Sequence, residues 1–288
     1  MRILVLSDIH SNLSALEAVL AHSKTYGKFD VKLCAGDIVG YGPEPNECVQ
    51  MIKDRGFIAR LGNHDRAVID GSYQGFHIHA QNAVRHNQSV LTKASRSYLE
   101  NLASLPFIGK EYAMVHGSFA GVGPQSFSGK SFFEDIYIFE DNDAAEAMKA
   151  LTAEEAYGNP RLGIIGHTHL PTFASGWVGI PKGFVPLEFD TAMIERKEIQ
   201  PDTSPTLNPE TKDWRYISLF NPGSVGQPRG NDPRASYGVV TITKDRIILV
   251  YNRVDYNIDA TQKKMKEFGL QGDVGFTKFL IDRLSVGR

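Results

Sequence analysis

Five apolar segments that each end in polar side chains constrain the fold of this 288-residue chain more than any other feature. Their sequences are I-L-V-L-S-D-I-H, V-K-L-C-A-G-D, A-R-L-G-N-H-D, Y-A-M-V-H-G and L-G-I-I-G-H-T-H. Short apolar runs bounded by polar or glycine residues are typical of buried strands. In α/β proteins, ligand sites form at the carboxyl ends of such strands. We therefore expect an α/β fold in which the five polar ends meet at one place.

The five polar ends carry seven side chains of types that bind metals, and one further histidine. The predicted ligands are Asp8, His10, Asp37, Asn63, His116, His167 and His169, and the further histidine is His64. Side chains two residues apart on an extended strand project to the same side. The spacing therefore predicts that both residues of D-x-H face one site, and that both histidines of H-x-H do so as well.

The donor set mixes carboxylates, imidazoles and one neutral amide. Such a set suits manganese, iron or zinc, whereas magnesium and calcium prefer shells made of oxygen. We expect two divalent or trivalent ions, manganese first, with iron, zinc, nickel or cobalt as alternatives. No sulfur ligand is needed, and Cys34 and Cys48 lack the C-x-x-C spacing of a redox or zinc motif. Both are predicted to be buried free thiols.

The order of these motifs resembles that of the calcineurin-like metallophosphoesterases. That family has D-x-H, G-D-x-x, G-N-H-[DE], a lone H and G-H-x-H along the chain. The corresponding residues here are Asp8/His10, Gly36-Asp37, Gly62-Asn63-His64-Asp65, His116 and Gly166-His167-Thr168-His169. A later segment at 221–229, N-P-G-S-V-G-Q-P-R, resembles the small bacterial and archaeal phosphodiesterase branch. We expect residues 1–288 to form one domain, and the resemblance implies a four-layer α/β/β/α sandwich with mixed sheets.

The resemblance also implies roles for the site residues. One ion would be held by Asp8, His10, Asp37 and His169, and the other by Asp37, Asn63, His116 and His167. Asp37 would bridge the two ions. The reaction implied is hydrolysis of a phosphodiester, such as one in a nucleotide, by a metal-activated hydroxide. His64 would assist by stabilising the transition state or protonating the leaving oxygen, with Asp65 as its orienting partner.

Two arginines and a tyrosine are predicted to contact the substrate. A substrate phosphate usually needs a fixed cation besides the metals, and Arg229 and Arg234 lie in the segment Q-P-R-G-N-D-P-R. Tyr41 stands in G-D-I-V-G-Y-G, where the Ser/Thr protein phosphatases have the arginine of G-D-x-V-D-R-G. A protein phosphatase is therefore disfavoured, and we expect a small phosphorylated substrate.

Other functions stay open on the sequence. The same metals would serve a phosphomonoesterase, a dinucleoside polyphosphate hydrolase or a protein phosphatase. A protein of this kind can also be a catalytically quiet, metal-bound scaffold for a partner protein, although no motif histidine is missing here. His77, His79 and His86 lie outside the motif series, so we expect them to be surface or packing residues and not ligands.

Composition bears on partners and location. A net charge of −2 and a pI near 6.5 give no general attraction to nucleic acids or anionic membranes. No segment reaches the length of a transmembrane helix, and the chain begins with a strand and not with a signal peptide. We therefore expect a cytoplasmic protein. The oligomeric state stays open, with residues 76–102 or the C-terminal helices as the expected contact surface of a dimer.

The pattern along the chain predicts alternating strands and helices. Strands are expected at 2–7, 30–35 and 57–61, separated by helices at 13–26 and 43–55. Further predictions are a helical stretch at 76–102, a hairpin at 106–116, a helix at 143–150, and antiparallel strands at 237–243 and 246–252. Residues 132–151 are expected to be a solvated, acidic flank. Loops are predicted at 121–130 and 201–212.

Overall fold

A computed structural model gives the fold of residues 1–120, 136–153, 160–179, 183–190, 196–199, 214–244, 246–268 and 278–287. The predicted loops at 121–130 and 201–212 lie outside these described residues. The elements of the first half are β1 (Arg2–Leu6), α1 (Leu13–Ser23), β2 (Val31–Cys34), α2 (Pro45–Asp54), β3 (Ile58–Ala59), α3 (Asn63–Asp70), α4 (Ile78–Val90), α5 (Lys93–Glu100), β4 (Phe107–Ile108) and β5 (Tyr112–Met114). Those of the second half are α6 (Asp141–Ala153), β6 (Leu162–Ile164), β7 (Pro171–Gly179), β8 (Gly183–Asp190), β9 (Arg196–Ile199), β10 (Trp214–Pro222), β11 (Ala235–Ile242), β12 (Ile247–Val254), α7 (Ile258–Glu267) and α8 (Lys278–Arg283).

The strands form two six-stranded sheets. The order is β3-β2-β1-β11-β12-β9 in the first sheet and β4-β5-β6-β10-β7-β8 in the second. β1, β2 and β3 run parallel, as do β5, β6 and β10, whereas the other neighbouring pairs are antiparallel. Both sheets are therefore mixed, and each contains a parallel part whose strand ends can share a site.

β1 shows how the layers are built, because its residues alternate between two hydrophobic cores. Ile3 and Val5 lie in the core between the two sheets, where they pack with residues such as Leu33, Met114 and Phe220. The alternate residues of the same strand join the core between the first sheet and helices α1 and α2. A third core packs α6 against the second sheet. The α/β/β/α sandwich with mixed sheets is thereby confirmed.

Local sequence explains where several helices begin and end. α1 begins after Asn12, as predicted, and the Asn12 side chain accepts a hydrogen bond from the Ala15 amide at 3.2 Å. Pro45 occupies the first turn of α2, where its missing N–H leaves no bond unmade. α3 ends at Gly71, whose φ of 80° favours glycine. These signals fix the helices that flank β1 and β2.

The structure differs from the predicted elements at a few places. Residues 76–102 contain two helices, α4 and α5, because Thr92 accepts a hydrogen bond from the Ser95 amide and starts a new helix. The G-N-H-D motif follows a strand of only two residues and opens α3, which the pattern did not predict. α6 is longer than the helix expected at 143–150. The predicted hairpin, β4 with β5, and the predicted antiparallel pair, β11 with β12, are confirmed.

Both cysteines, Cys34 and Cys48, are buried and free, as predicted. Burial raises the pKa of both thiols, so neither is ionised near neutral pH. Across the described residues, no helix combines the length and the hydrophobicity that crossing a membrane requires.

Candidate metal centre

Two parallel strands of the first sheet deliver three of the predicted ligands. β1 and β2 are neighbours, and the loops after them carry Asp8, His10 and Asp37. Backbone hydrogen bonds join the two loops. One runs from the Asp8 amide to the Gly36 carbonyl at 3.0 Å, and another from the His10 amide to the Asp37 carbonyl at 2.9 Å. The three side chains are therefore held relative to each other by the backbone of the sheet.

The second sheet supplies three histidines, which follow two of its parallel strands. His116 follows β5, and His167 and His169 follow the parallel neighbour β6. The Gly166 amide donates to the His116 carbonyl at 2.7 Å, so the two strand ends lie side by side. Asn63 comes from the first turn of α3. Residues from both sheets thus meet at one buried place, and each predicted ligand is at most 5% exposed.

The expectation that these strand ends are extended is wrong. φ is positive at five of the predicted ligands, between 49° and 70°. They are Asp8, His10, Asp37, His167 and His169. A left-handed conformation costs a non-glycine residue about 1–2 kcal/mol, and such strain clusters at functional sites. Both members of each pair adopt the left-handed conformation, so the chain is not extended at either pair.

Four side chains form a first ligand group around a common centre. They are Asp8, His10, Asp37 and His169, and their ligand atoms lie within 4.8 Å of one another. His10 Nε2 is 3.0 Å from His169 Nε2 and 3.6 Å from Asp37 Oδ2. His169 Nε2 is 3.4 Å from Asp8 Oδ1. A metal ion with bonds of about 2.1 Å brings its ligand atoms to about 3.0–3.4 Å from each other, so this group is close to the size that one ion needs.

A second ligand group overlaps the first. Asp37, His116 and His167 also have ligand atoms within 4.8 Å of one another. His116 Nε2 lies 3.3 Å from Asp37 Oδ2 and 3.2 Å from Asn63 Oδ1. Asp37 Oδ2 therefore faces both groups, because it is also 3.6 Å from His10 Nε2. The structure brings together the two ligand sets that the resemblance implied.

Backbone carbonyl groups orient three of the histidines. The Nδ1 atom of His10 is 3.2 Å from the Val39 carbonyl oxygen. That of His169 is 2.8 Å from the Gln227 carbonyl oxygen, and His116 has an equivalent contact. Because a carbonyl oxygen only accepts, each Nδ1 carries a proton, and the neutral rings of His10 and His169 turn an Nε2 lone pair toward the site. Two such lone pairs only 3.0 Å apart, on His10 and His169, repel each other unless a cation lies between them.

The residues present fit a pair of metal cations. Asp37 Oδ2 and His167 Nε2 are buried and have no hydrogen-bond partner among the described residues. A buried carboxylate oxygen without a partner costs free energy, which a bound cation would offset. Carboxylates, imidazoles and one amide oxygen form a donor set that suits several transition metals and does not select one of them. The cluster can therefore hold metal, with the ion left open.

Burial and neighbouring charges shift the pKa values across the cluster. Burial raises the pKa of the Asp8 carboxyl to about 7. Burial also acts to raise the pKa of Asp37, but the nearby histidines, His116 first, outweigh it and lower that pKa below its usual range. Burial lowers the pKa values of His10 and His167. Burial acts to lower the pKa of His116, but the Asp37 carboxylate outweighs it and raises that pKa to about 10. The His116 imidazole is therefore protonated and those of His10 and His167 are neutral, so metal binding would release a proton from His116.

His64 lies beside the shared carboxylate. Its backbone amide donates to Asp37 Oδ1 at 2.8 Å. The centre of its ring is 4.8 Å from that of His10 and 4.5 Å from that of Tyr41. The side-chain Nδ1 atom is buried and has no hydrogen-bond partner among the described residues. Burial lowers the pKa of His64 to about 4, so the imidazole is neutral at neutral pH.

The Asp65 carboxylate, expected to orient His64, forms hydrogen bonds with backbone amides. It accepts them from Val39 and Gly62, both at 3.0 Å. It thereby caps the start of α3 and joins this helix to the loop after β2. Asp65 is placed to position the helix that carries Asn63 and His64, and its role as the orienting partner of the His64 imidazole stays a prediction.

The residues predicted to bind substrate lie in different surroundings. The Tyr41 ring is 4.7 Å from the His10 ring, so it covers the first ligand group. Arg229 lies close enough to the site to add to the lowering of the His169 pKa that burial causes. The Arg234 side chain is 44% exposed and pairs with Asp232 at 2.7 Å. The Asp232 carboxylate thus binds the Arg234 guanidinium. Contact of Arg234 with substrate stays a prediction.

The three histidines outside the motifs are not part of either ligand group found among the described residues. His77 and His79 lie at the start of α4, with their ring centres 4.7 Å apart. His86 is buried further along α4, where its ring centre is 5.1 Å from that of Phe268. A packing role fits His86, whereas His77 and His79 line a cavity together with Arg283 of α8.

Residues 221–229 form hydrogen bonds to the backbone of two segments that carry predicted ligands. The Ser224 hydroxyl donates to the Asp8 carbonyl at 2.8 Å, and the Gly226 amide donates to the same oxygen at 3.0 Å. The Asn221 side chain donates to the Gly166 carbonyl at 2.7 Å. This segment therefore holds the backbone of both the D-x-H and the G-H-x-H motif. The segment is therefore a turn that packs against the site.

Two residues at the site were not predicted. Tyr137 lies in the stretch expected to be a solvated flank, yet its ring centre is 3.7 Å from that of His167. Tyr137 is 44% exposed, as expected of a solvated flank, but its contact with the site was not predicted, because acidic composition says nothing about a single aromatic residue. Asn87 of α4 is fully buried and accepts a hydrogen bond from the Gly40 amide at 2.9 Å. It supports the loop that carries Tyr41, and an asparagine within a helix gives no signal of such a role.

Comparison with known proteins identifies the family. The model of the calcineurin-like phosphoesterase superfamily domain matches residues 1–245. An uncharacterised protein of Methanocaldococcus jannaschii is 30% identical over 293 residues, which cover 99% of this chain and 98% of that protein. Similarity therefore extends well beyond the five motifs.

Crystal structures of two proteins share the fold. A metallophosphoesterase from Sphaerobacter thermophilus is 30% identical and has a TM-score of 0.70, with 100% of each chain covered. A hypothetical protein from Pyrococcus horikoshii is 17% identical and has a TM-score of 0.66, with 100% of this chain and 98% of that chain covered. The second likeness bears on the fold alone. The family match and the two relatives at 30% identity agree with the motif order, and the chain belongs to the calcineurin-like phosphoesterase superfamily.

Proposed function

We propose that this protein is a phosphoesterase that uses two metal ions to hydrolyse phosphodiester bonds in small substrates, with nucleotides as the first class to test. The observation that carries the proposal is the shared carboxylate. Asp37 Oδ2 lies 3.6 Å from His10 Nε2 in one ligand group and 3.3 Å from His116 Nε2 in the other. A single carboxylate can offer negative charge to two cations at once, and membership of a phosphoesterase superfamily supports the reaction class.

Bound cations would supply Lewis-acid chemistry by polarising a phosphoryl oxygen and lowering the pKa of water. The protein contributes a preformed site. Backbone carbonyls fix the rings of His10 and His169, and the Asp65 carboxylate fixes the helix that carries Asn63. Because these contacts are already in place, little reorganisation accompanies substrate binding.

His64 is our candidate for the residue that acts on the substrate. Its ring is neutral at neutral pH, and a neutral imidazole that carries its proton on the nitrogen facing the substrate can donate a hydrogen bond to a phosphoryl or leaving oxygen. The ring packs between those of Tyr41 and Phe76, at 4.5 Å and 4.7 Å. Its orientation is therefore set before substrate binds.

Two features favour a small substrate over a phosphoprotein or a long nucleic acid. Tyr41 lies over the first ligand group, at the place where the Ser/Thr phosphatase motif has its arginine. The net charge of −2 gives no general attraction to a polyanion. Attraction for phosphate then comes from the site itself, with Arg229 as the nearby fixed cation.

The proposal is tested by hydrolysis of bis-p-nitrophenyl phosphate and p-nitrophenyl phosphate side by side. Metal-stripped protein is reconstituted with manganese, and Asp37→Ala and His64→Ala serve as controls. We expect diester cleavage that needs manganese and both side chains. A preference for the monoester would make the protein a phosphomonoesterase on the same site. No hydrolysis with manganese, iron, zinc, nickel or cobalt would favour a catalytically quiet scaffold.

A further inference from the structure

Two exposed aromatic rings adjoin the second ligand group, and we name them the aromatic step. The rings of Tyr137 and Phe139 are nearly parallel, with an angle of 8° between their planes and 5.1 Å between their centres. The centre of the Tyr137 ring is also 3.7 Å from that of the predicted ligand His167. Tyr137 is 44% exposed and Phe139 is 51% exposed. The aromatic step therefore leads from a predicted metal ligand to the surface.

Part of the Tyr137 face is open. Among the described residues, the Phe139 ring has no contact with His167, so these two rings lie on opposite faces of the Tyr137 ring. Carbon atoms in contact lie about 3.5–4.0 Å apart. Two nearly parallel rings with centres 5.1 Å apart are therefore displaced sideways, and Phe139 covers only part of the outer face of Tyr137.

A planar group can lie on this open part, beside the edge of Phe139. It would be one ring layer beyond Tyr137, at about 7 Å from the His167 ring. The sugar of a nucleotide separates the phosphorus atom from the base by a similar length. A nucleotide with its phosphate at the metal centre can therefore place its base on the aromatic step.

The fold holds the aromatic step in place. Ile138, between the two aromatic residues, is 3% exposed and packs in the core between α6 and the second sheet. The backbone amides of Phe139 and Glu140 donate to the Asp143 carboxylate in the first turn of α6, at 3.0 Å and 3.3 Å. The segment is thus fixed to α6 on one side, and Tyr137 is stacked on a predicted ligand on the other.

The acidic residues next to the aromatic step disfavour a second phosphate group there. Glu140 and Asp141 follow Phe139 directly and are exposed. A phosphate group or a nucleic-acid backbone at this place would be repelled by the two carboxylates. An uncharged planar group meets no such repulsion and covers the apolar surface that the two rings expose.

We propose that the aromatic step binds the nucleobase of a substrate whose phosphate lies at the metal centre. Bases stack well on aromatic side chains, and every base has a face suited to this contact. The preferred substrates are then nucleotide phosphodiesters with a single phosphate group, and not nucleoside diphosphates or triphosphates. The inference rests on the proposed function and names its substrate class and the residues that bind the base.

The test compares two ligands that differ by a base. Adenosine 5′-monophosphate and ribose 5-phosphate share the sugar and the phosphate, and both resemble products of a phosphodiesterase. Isothermal titration calorimetry on the manganese-loaded protein gives the Kd of each ligand. The variants are Tyr137→Leu and Phe139→Leu, which each remove a ring, and Tyr137→Phe, which keeps the ring. Phe268→Leu is the matched control, because Phe268 is 48% exposed at the end of α7 and its ring lies 5.1 Å from that of His86.

We expect the wild type to bind adenosine 5′-monophosphate at least about fivefold more tightly than ribose 5-phosphate, which corresponds to about 1 kcal/mol. Tyr137→Leu should reduce this preference to less than about twofold, and Phe139→Leu should at least about halve it. Both should change the Kd of ribose 5-phosphate by less than about twofold, because the metal centre is intact. Tyr137→Phe and Phe268→Leu should keep the preference of the wild type.

Three results would overturn the inference. They are a wild type without preference for adenosine 5′-monophosphate, a preference that Tyr137→Leu retains, and equal weakening of both ligands in the leucine variants of the aromatic step. Failure of the proposed function has another signature, which is the absence of phosphodiester hydrolysis by the manganese-loaded wild type. That result would leave the measured contribution of the two rings to base binding unchanged.

Discussion

At the scale of single residues, Asp37 has the largest predicted effect on metal binding. Its carboxylate faces both ligand groups, so Asp37→Asn should remove manganese from both of them and not from one. We expect the metal content after dialysis, measured by plasma mass spectrometry, to fall from about two ions per chain to below about one. Asp70→Asn, at the exposed end of α3, is the matched control and should keep its metal. Full metal retention by Asp37→Asn would show that the residue does not bridge.

His64 is predicted to affect the rate and not the metal content. Its ring is buried beside the ligands, and its Nδ1 is free of partners among the described residues. His64→Ala should lower kcat for bis-p-nitrophenyl phosphate by about 10²–10⁴-fold with manganese content unchanged. His22→Ala is the control. His22 lies on α1, and its Nδ1 atom is 2.8 Å from the Tyr237 hydroxyl. A metal-depleted His64→Ala protein would mean that His64 is a ligand.

The side chains of the two ligand groups could be predicted from the sequence, but Tyr137, Asn87 and the left-handed backbone could not. Five ordered motifs identified the candidate ligands, since their types and spacing are local properties. The left-handed backbone at Asp8 and His167 depends on contacts such as the 3.2 Å hydrogen bond between them, which joins positions 159 residues apart. Arg283 lies in a short helix without any motif, so its place beside Tyr41 is a product of packing alone.

At the scale of elements, the loop after β1 is packed directly against the segment after β10. A Cβ atom on Gly226 would lie 1.7 Å from the Ile9 carbonyl oxygen, so the D-x-H loop would have to move. Gly226→Ala should lower the free energy of unfolding by about 1–3 kcal/mol or more and weaken manganese binding. Urea unfolding and metal analysis measure the two effects.

Gly75→Ala is the matched control for that change. A Cβ atom there has nothing within 4 Å, so we expect unfolding within about 0.5 kcal/mol of the wild type. If both alanine variants unfold at the same urea concentration, the close approach between Gly226 and Ile9 does not support the site.

The first β-α-β-α-β elements could be predicted because each has a regular hydrophobic pattern and a clear start signal, such as Asn12 or Pro45. α3 could not be predicted in this way. Its first residues are themselves site residues, and the helix begins there because the Asp65 side chain accepts from the Gly62 amide. Because the first residues of α3 are site residues, the sequence pattern does not predict the helix there.

At the scale of the whole molecule, the site joins the two sheets. Its ligands follow β1 and β2 in the first sheet and β5 and β6 in the second, so bound ions would hold both sheets together at this edge. The layer order of the sandwich follows from the family resemblance, whereas periodicity alone indicates only an α/β fold with a mixed sheet. Pairings such as Arg2 with Thr241 join distant parts of the chain and leave no local signal.

Removal of metal should therefore lower thermal stability. At a concentration of about 100 times Kd, one bound ion adds about 2.7 kcal/mol, and about 1 kcal/mol shifts the Tm of a chain of this size by about 2–4 °C. We expect EDTA to lower Tm by at least about 5 °C and manganese to restore it. Differential scanning fluorimetry measures this shift, with Asp37→Asn as the control that EDTA should hardly affect. An unchanged Tm in the wild type would contradict a structural link through the ions.

The most direct test of the two-metal site is a manganese titration of the metal-stripped protein, followed by its rate of bis-p-nitrophenyl phosphate hydrolysis. A dinuclear phosphoesterase shows no hydrolysis without metal and reaches its full rate at about two manganese ions per chain. A full rate at about one ion, or hydrolysis by the stripped protein, would contradict the shared role of Asp37 in two ligand groups.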